Sequence, residues 1–267
     1  MKKSVKFEAV KQDQIRALVR ERYGSVAQQP EGCCGPAGCC GPNPNASLDL
    51  GYDAKDLAAV PAGANMGLGC GNPQALASLK PGEVVLDLGA GGGFDCFLAA
   101  KRVGKSGRVI GVDMTPAMIS KARENAQQAK IRNVEFRLGE IEHLPVADGE
   151  VNVIISNCVI NLSPDKAAVF KDAFRALKRG GRLAISDIVA TSKMPRALAK
   201  NTEALTGCVS GAARVEDLRD QLRAAGFKDI RVEVDEASRA FIRDWFPGTG
   251  AEKYVASAKI TAKKPGR

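Results

Sequence analysis

Histidine is almost missing from this 267-residue chain, which holds one, His143, and a single tryptophan. With so little imidazole, no Ser/His/Asp or Cys/His hydrolase arrangement can be assembled. His143 sits in Ile141-Glu142-His143-Leu144-Pro145, between expected strands, where a surface or capping use is expected. Aromatic residues are scarce at 5 %, and no arginine–aromatic ladder occurs, which argues against a nucleic-acid partner. No apolar run approaches the roughly 18 residues of a membrane helix, so no membrane partner is expected. Residues 1–22 mix charged and apolar side chains without the apolar stretch of a secretory signal, and a cytoplasmic location is expected. An excess of one charge sign is mild. Lys+Arg 39 against Asp+Glu 30 gives +9, spread along the chain apart from short clusters such as Lys263-Lys264. It favours anionic ligands only weakly.

What the chain does have is a globular balance, with 45 % hydrophobic and 26 % charged residues. Its length suits one large α/β domain, or one domain with a small appendage. A monomer is the default expectation. Eight cysteines are unusual for a reducing compartment, where they are expected as thiols rather than a disulfide frame. They are candidates for metal, metalloid or redox chemistry, or for packing.

Residues 4–22 fit an amphipathic helix with Ser4 as a possible cap, and Phe7, Val10, Ile15, Leu18 and Val19 fall near one face. Residues 23–47 differ in composition and hold a near repeat of CCGP, with Cys33, Cys34, Cys39 and Cys40, which Gly and Pro keep out of a helix. From Lys80 onward strands and helices alternate. Strands are expected at 83–88, 108–113, 134–138, 151–156, 183–188, 228–234 and 254–261. Helices are expected at 94–102, 116–129, from Ser163 or Asp165 to 178, and at 215–225. Thr115 precedes Pro116 as a possible cap, and Gly226 ends the last helix. This alternation predicts a parallel sheet covered by helices on both faces. Ligands of such sheets bind beyond the strand C-termini, where the strand order reverses.

The run Asp87-Leu88-Gly89-Ala90-Gly91-Gly92-Gly93 follows the first core strand and opens a helix. Its glycines let backbone lie against a ligand, and Asp113, ending the second strand, can accept hydrogen bonds from ribose hydroxyls. The dinucleotide fingerprint would need glycine where Phe94 stands. The spacing is instead G-x-G-x-G behind an acidic residue, which resembles motif I of class I S-adenosylmethionine methyltransferases.

Three single cysteines stand in polar or glycine-rich segments: Gly67-Leu68-Gly69-Cys70-Gly71-Asn72-Pro73, Ser156-Asn157-Cys158-Val159-Ile160-Asn161, and Thr206-Gly207-Cys208-Val209-Ser210-Gly211. Cys158, just past the fourth strand, falls at the carboxyl edge of the sheet beside any ligand on the glycine loop. Taken alone, packing explains it as well as function does. Cys96, on the helix after the glycine loop, is expected to pack on the sheet. Cys34 and Cys39, four residues apart, allow zinc, and soft thiolates suit other thiophilic ions as well. Phe241, Trp245 and Phe246 are expected to cover the sheet or the site edge.

These segments together resemble the arsenite S-adenosylmethionine methyltransferases, as do Val112-Asp113-Met114-Thr115 and Gly139-Glu140-Ile141-Glu142, over about residues 17–264. The resemblance implies a Rossmann-like, seven-stranded class I methyltransferase sheet. An N-terminal helical and cysteine-rich loop extension (1–72) would precede the cofactor-binding core (73–192), and a small C-terminal cap region (193–267) would follow. It implies S-adenosylmethionine as methyl donor, bound by Asp87, Gly89, Gly91 and Gly93, with Asp113 and Met114 at the ribose and adenine. Ile141 and Glu142 would bracket the adenine, and Asn157 would approach the cofactor. Arsenite and methylated arsenicals would be held by Cys70, Cys158 and Cys208, joined by one of Cys33, Cys34, Cys39 or Cys40, with no resident metal. An external thiol reductant of the glutathione or thioredoxin type is implied as co-substrate, since methylation formally oxidises arsenic. Two other readings compete. One is a methyltransferase for another small molecule; the other is a thiol-based metalloid- or metal-binding protein on the same scaffold.

Overall fold

The computed structural model describes residues 2–28, 46–199, 204, 207–245 and 247–266. Eight strands form one sheet: β1 (Val84–Leu88), β2 (Arg108–Asp113), β3 (Val134–Leu138), β4 (Val151–Asn157), β5 (Leu177–Ala190), β6 (Ala213–Arg214), β7 (Lys228–Asp235) and β8 (Val255–Lys263). The order is β3-β2-β1-β4-β5-β8-β7, with the two-residue β6 paired to β5 off this path. Seven of the eight are the strands the sequence predicts; β6 is too short to leave a pattern.

The sheet is not parallel throughout. Strands β1 to β6 pair in parallel, but β8 runs antiparallel to both β5 and β7. Between β7 and β8 the chain makes short helical turns and the helix Arg239–Trp245 at one end of the sheet, rather than crossing a face. A strand that re-enters at the end its predecessor left has to run the opposite way.

Apolar residues on alternate positions of the central strands bury both faces. Leu86, Leu88, Ile110 and Ile154 pack on one side with Phe170, Leu218, Leu222 and Phe227. Val85, Val109, Val153 and Ile155 pack on the other with Cys96, Phe97, Ile119 and Phe136. The helices Phe94–Val103 and Pro116–Gln128 cover this second side, and Lys166–Ala176 and Val215–Ala225 the first.

Helix ends depart from expectation in three places. The N-terminal helix runs Lys2–Gln28, so Ser4 lies within it rather than at the position before its start. Asp165, not Ser163, caps the helix Lys166–Ala176 by accepting the Ala168 N–H, and that helix stops at Ala176 because β5 begins at Leu177. Thr115 holds the cap position without a side-chain cap bond; its backbone N–H is donated to Asp113 at 2.8 Å.

Arg182, near the start of β5, ties the sheet to the segment leading out of the Cys70 turn. Its guanidinium forms a two-pronged pair with Glu83 (2.7 and 2.8 Å) and donates to the carbonyls of Ala77 (2.6 Å) and Ser78 (2.9 Å). Forked pairs of this kind are among the stronger polar contacts. Arg182→Ala is expected to cost about 2 kcal/mol, read as a lowered thermal midpoint; an unchanged midpoint contradicts this role.

Candidate functional site

The order reverses between β1 and β4, and the cleft opens there, at the C-terminal ends of these strands. Its empty volume, solvent at the mouth included, is ≈ 1030 Å³. Gly89 and Gly91, Asp87, Asp113, Met114, Ile141, Glu142, Asn157 and Cys158 line it. Gly93 lies outside that lining and serves as the cap residue of the helix Phe94–Val103.

The glycine loop is fixed from both sides. Gly89 and Ala90 donate N–H groups to the Val112 carbonyl at 2.7 and 2.9 Å, and Gly91 donates to the Asp113 carboxylate at 3.0 Å. Gly89 has φ +71°, and a Cβ there would sit 2.4 Å from Val159, so no larger residue fits this turn. Asp113 is thus a brace for the loop as well as a wall of the cleft. Each of its oxygens accepts one backbone N–H and keeps capacity for another donor. Burial raises its pKa, against the hydrogen bonds from Thr115 and Gly91.

Behind the loop stand two more buried acids. Burial, with the neighbouring Asp95, holds the Asp87 carboxyl well above the usual range, and Asp87 accepts the Cys96 thiol at 3.2 Å. Cys96 packs in the core as expected, with this added bond. Asp95 is pushed up to about 6 by burial, against hydrogen bonds from Tyr52, Asn157 and Gln74.

The structure brings the three single cysteines together. Cys70 and Cys158 are joined in a disulfide, Cα–Cα 5.8 Å, and the Cys208 thiol donates to the Cys158 carbonyl at 2.7 Å. This corrects the expectation that all the cysteines are thiols: the turns carrying Cys70 and Cys158 press the two sulfurs into bonding distance. Of the three, Cys158 is the one that reaches the cleft. Cys158 and Cys208 both have left-handed backbone, φ 58° and 64°. Such non-glycine conformations cost of order 1–3 kcal/mol and cluster at functional sites. Burial raises the Cys208 thiol well above its ordinary pKa, with Asp187 adding to the effect. Cys33, Cys34, Cys39, Cys40 and Phe246 lie outside the described residues.

The Cys70 turn is held by Asn157. Its Oδ1 accepts the Cys70 N–H at 3.0 Å, and its Nδ2 donates to the Gly71 carbonyl at 2.8 Å and to the Tyr52 hydroxyl at 3.0 Å. Tyr52 in turn donates to Asp95 at 2.8 Å. Gly69, at φ +153°, leaves no room for a Cβ, which would meet Asn157 at 2.8 Å. Ser257 of β8 donates to the Cys70 carbonyl at 2.6 Å.

Sequence reasoning missed several residues of the site. Arg16, Val19 and Tyr23 of the N-terminal helix line the cleft, as do Met66 and Asp95. Arg16 pairs with Glu140 and with the buried Glu142 at 3.3 Å each, and Glu142 also accepts the Ser163 hydroxyl at 2.7 Å. Burial first, and then Cys208 and Asp113, raise the Tyr23 phenol, whose ring packs against the cysteine cluster. Phe241 and Trp245 pack against the cysteine cluster, as does Met114. An amphipathic stripe marks a buried face but not what it covers, so the N-terminal helix gave no sign of its target.

Asp95 carries a pH signature. The unfolded chain releases this proton near pH 4, and the folded chain releases it at about 6. Between these values the folded state binds more protons, so its stability falls as pH rises through that window. Asp95→Asn is expected to flatten the decline of the thermal midpoint between pH 4 and 7; an unaltered slope contradicts it.

A family model described as a methyltransferase domain matches residues 79–233. An arsenite methyltransferase of Halobacterium salinarum is 52 % identical over 265 residues, 96 % of this chain and 68 % of that protein. One of Aquipseudomonas alcaligenes is 42 % identical over 175 residues, 63 % of this chain and 50 % of that protein. The crystal structure of an arsenic(III) S-adenosylmethionine methyltransferase from Chlamydomonas reinhardtii superposes with a TM-score of 0.60 and 33 % identity. The match covers 84 % of this chain and 74 % of that one.

Proposed function

Because the chain belongs to the arsenite methyltransferase family, we propose that it methylates trivalent arsenic, arsenite and methylarsenite, as a detoxifying enzyme, with the arsenic held by cysteine sulfurs. The observation that supports this most is the position of Cys158. It opens into the cleft of the glycine loop while lying against Cys70 and Cys208. A metalloid on these sulfurs would face whatever the loop holds.

The cleft suits S-adenosylmethionine. Asp113 keeps acceptor capacity for ribose hydroxyls. Met114 and Ile141 offer apolar walls for an adenine beside Glu142, and the glycine backbone admits close approach. Asn157 stands on the cysteine side, bonded to the Cys70 turn, and Asp87 behind the glycine loop. When bound, S-adenosylmethionine supplies a methyl group already activated on a sulfonium.

The chain's own part is capture and alignment. Trivalent arsenic carries a lone pair and needs no deprotonation to act as nucleophile, which accounts for a site without histidine. Three thiols exchange for the arsenic hydroxyls and release water, and the cysteine turns fix the direction of the lone pair. Such orientation can contribute several powers of ten in rate.

The reading requires Cys70 and Cys158 in their reduced state, since a disulfide offers no thiolate. Two equivalents of an external thiol of the glutathione or thioredoxin type open the bond and become a disulfide themselves. The cytoplasm is the proposed setting, where such thiols are kept reduced, and the protein would act there as a monomer. No described helix is long and apolar enough to cross a membrane.

Cys158→Ser is expected to bind S-adenosylmethionine normally and to form less than about 1 % of the methylated arsenic made by the wild type in excess thiol, the loss expected when a site is misaligned. Separation of the arsenic species reads the result, and full turnover by the variant overturns the assignment. Replacing Cys33, Cys34, Cys39 and Cys40 together by Ser is expected to slow arsenite capture and leave cofactor affinity unchanged. Capture at the wild-type rate would remove that segment from the site.

A further inference from the structure

Asp187, in the C-terminal part of β5, stood out in no motif. Its side chain is 2 % exposed. A carboxylate oxygen of Asp187 and the sulfurs of Cys70 and Cys158 all lie within 4.8 Å of one another. The third sulfur, bonded to the Cys158 carbonyl, has its thiol pKa raised by burial and then by Asp187. The carboxylate accepts hydrogen bonds from the backbone N–H groups of Ile160 (2.9 Å) and Ile188 (2.8 Å) and from the Asn161 amide (2.8 Å). All three donors are neutral and fixed by the turn after Cys158 and by β5 itself. The cation acting on it is Lys166, half-buried, whose Nζ donates to the Ser163 carbonyl at 3.2 Å.

We infer that Asp187 is the counter-charge of the methylation step, a buried anion set where positive charge arrives on arsenic. The inference rests on the arsenite reading given above. Arsenic on three thiolates is neutral. As its lone pair forms the As–C bond, the carbon–sulfur bond of the methyl donor breaks and that electron pair stays with the donor's sulfur. Arsenic passes formally from trivalent to pentavalent and takes up the positive charge that the donor loses. No proton moves in this step, and no further reactant is consumed. A fixed anion beside the receiving centre stabilises the transition state more than the neutral ground state, and in a site screened from water it does so strongly. Lys166 opposes this effect and sets its size.

The test compares the reduced wild type with Asp187→Asn and Lys166→Met in two measurements. Equilibrium dialysis with arsenite alone reads capture, and a single turnover with arsenite and S-adenosylmethionine both saturating reads transfer. Asp187→Asn is expected to bind arsenite within about threefold of the wild type and to transfer on the order of 100-fold more slowly. Lys166→Met is expected to transfer about threefold faster, since it removes the opposing charge. A purely structural role for Asp187, holding the turn after Cys158, would weaken arsenite binding as much as transfer and leave Lys166→Met no faster; either result overturns the proposal. Wild-type transfer by Asp187→Asn also overturns it. Should Asp187→Asn fail to fold, the sign of the Lys166→Met effect decides. A wild type that binds arsenite but forms no methylated arsenic overturns the arsenite reading and this proposal with it, whereas unaltered transfer in Asp187→Asn overturns this proposal alone.

Discussion

The carboxamide of Asn157 takes the Cys70 N–H and gives its own N–H groups to Gly71 and Tyr52. This brace holds the Cys70 turn against the end of β4, together with the Ser257 bond to the Cys70 carbonyl and the bridge to Cys158. Around it everything is close-packed: Gly69 admits no Cβ because Asn157 fills the space, and Gly71 none because Ser186 does. The glycines flanking Cys70 therefore serve contact rather than looseness. They let a turn 88 residues away in sequence set its sulfur against that of Cys158.

Electrostatics at the site follow from the same closeness. Asp87, Asp95 and Asp113 stand behind the glycine loop and Asp187 behind the cysteines, and burial raises the pKa of each. Two of them reach only about 6 because amides and hydroxyls donate to them. A buried carboxylate without such donors would be neutral at physiological pH. The fold thus spends hydrogen bonds to keep negative charge inside, on both sides of a cleft proposed to receive a sulfonium and then a positively charged arsenic centre.

Closure of the cleft comes from elements that a sheet does not require. The N-terminal helix brings Arg16, Val19 and Tyr23 over the opening, and Arg16 is neutralised by Glu140 and Glu142 on the segment after β3. From the far end of the chain, Phe241 and Trp245 back the cysteine cluster. The N-terminal helix and the helix Arg239–Trp245 both pack at the thiols, while the parallel strands carry the glycine loop.

The strands and the loop were legible in the sequence because both rest on local patterns. Apolar runs of strand length, Asp87 with its glycines, and Asp113 at the end of the next strand are short-range signals whose meaning backbone geometry settles. Cys158 was legible for the same reason, one residue past a strand. The antiparallel insertion of β8, the reach of Tyr52 and Arg16, and the place of Asp187 were not, since a strand's direction and a buried acid's neighbours depend on segments far apart in the chain. The sequence by itself singled out the candidate residues, thiols without an acid–base pair and a nucleotide-type loop. Only tertiary packing decided that Cys70, Cys158 and Cys208 lie in one cluster and that an anion stands beside them, because convergence of distant turns is fixed by close contact and not by any local pattern.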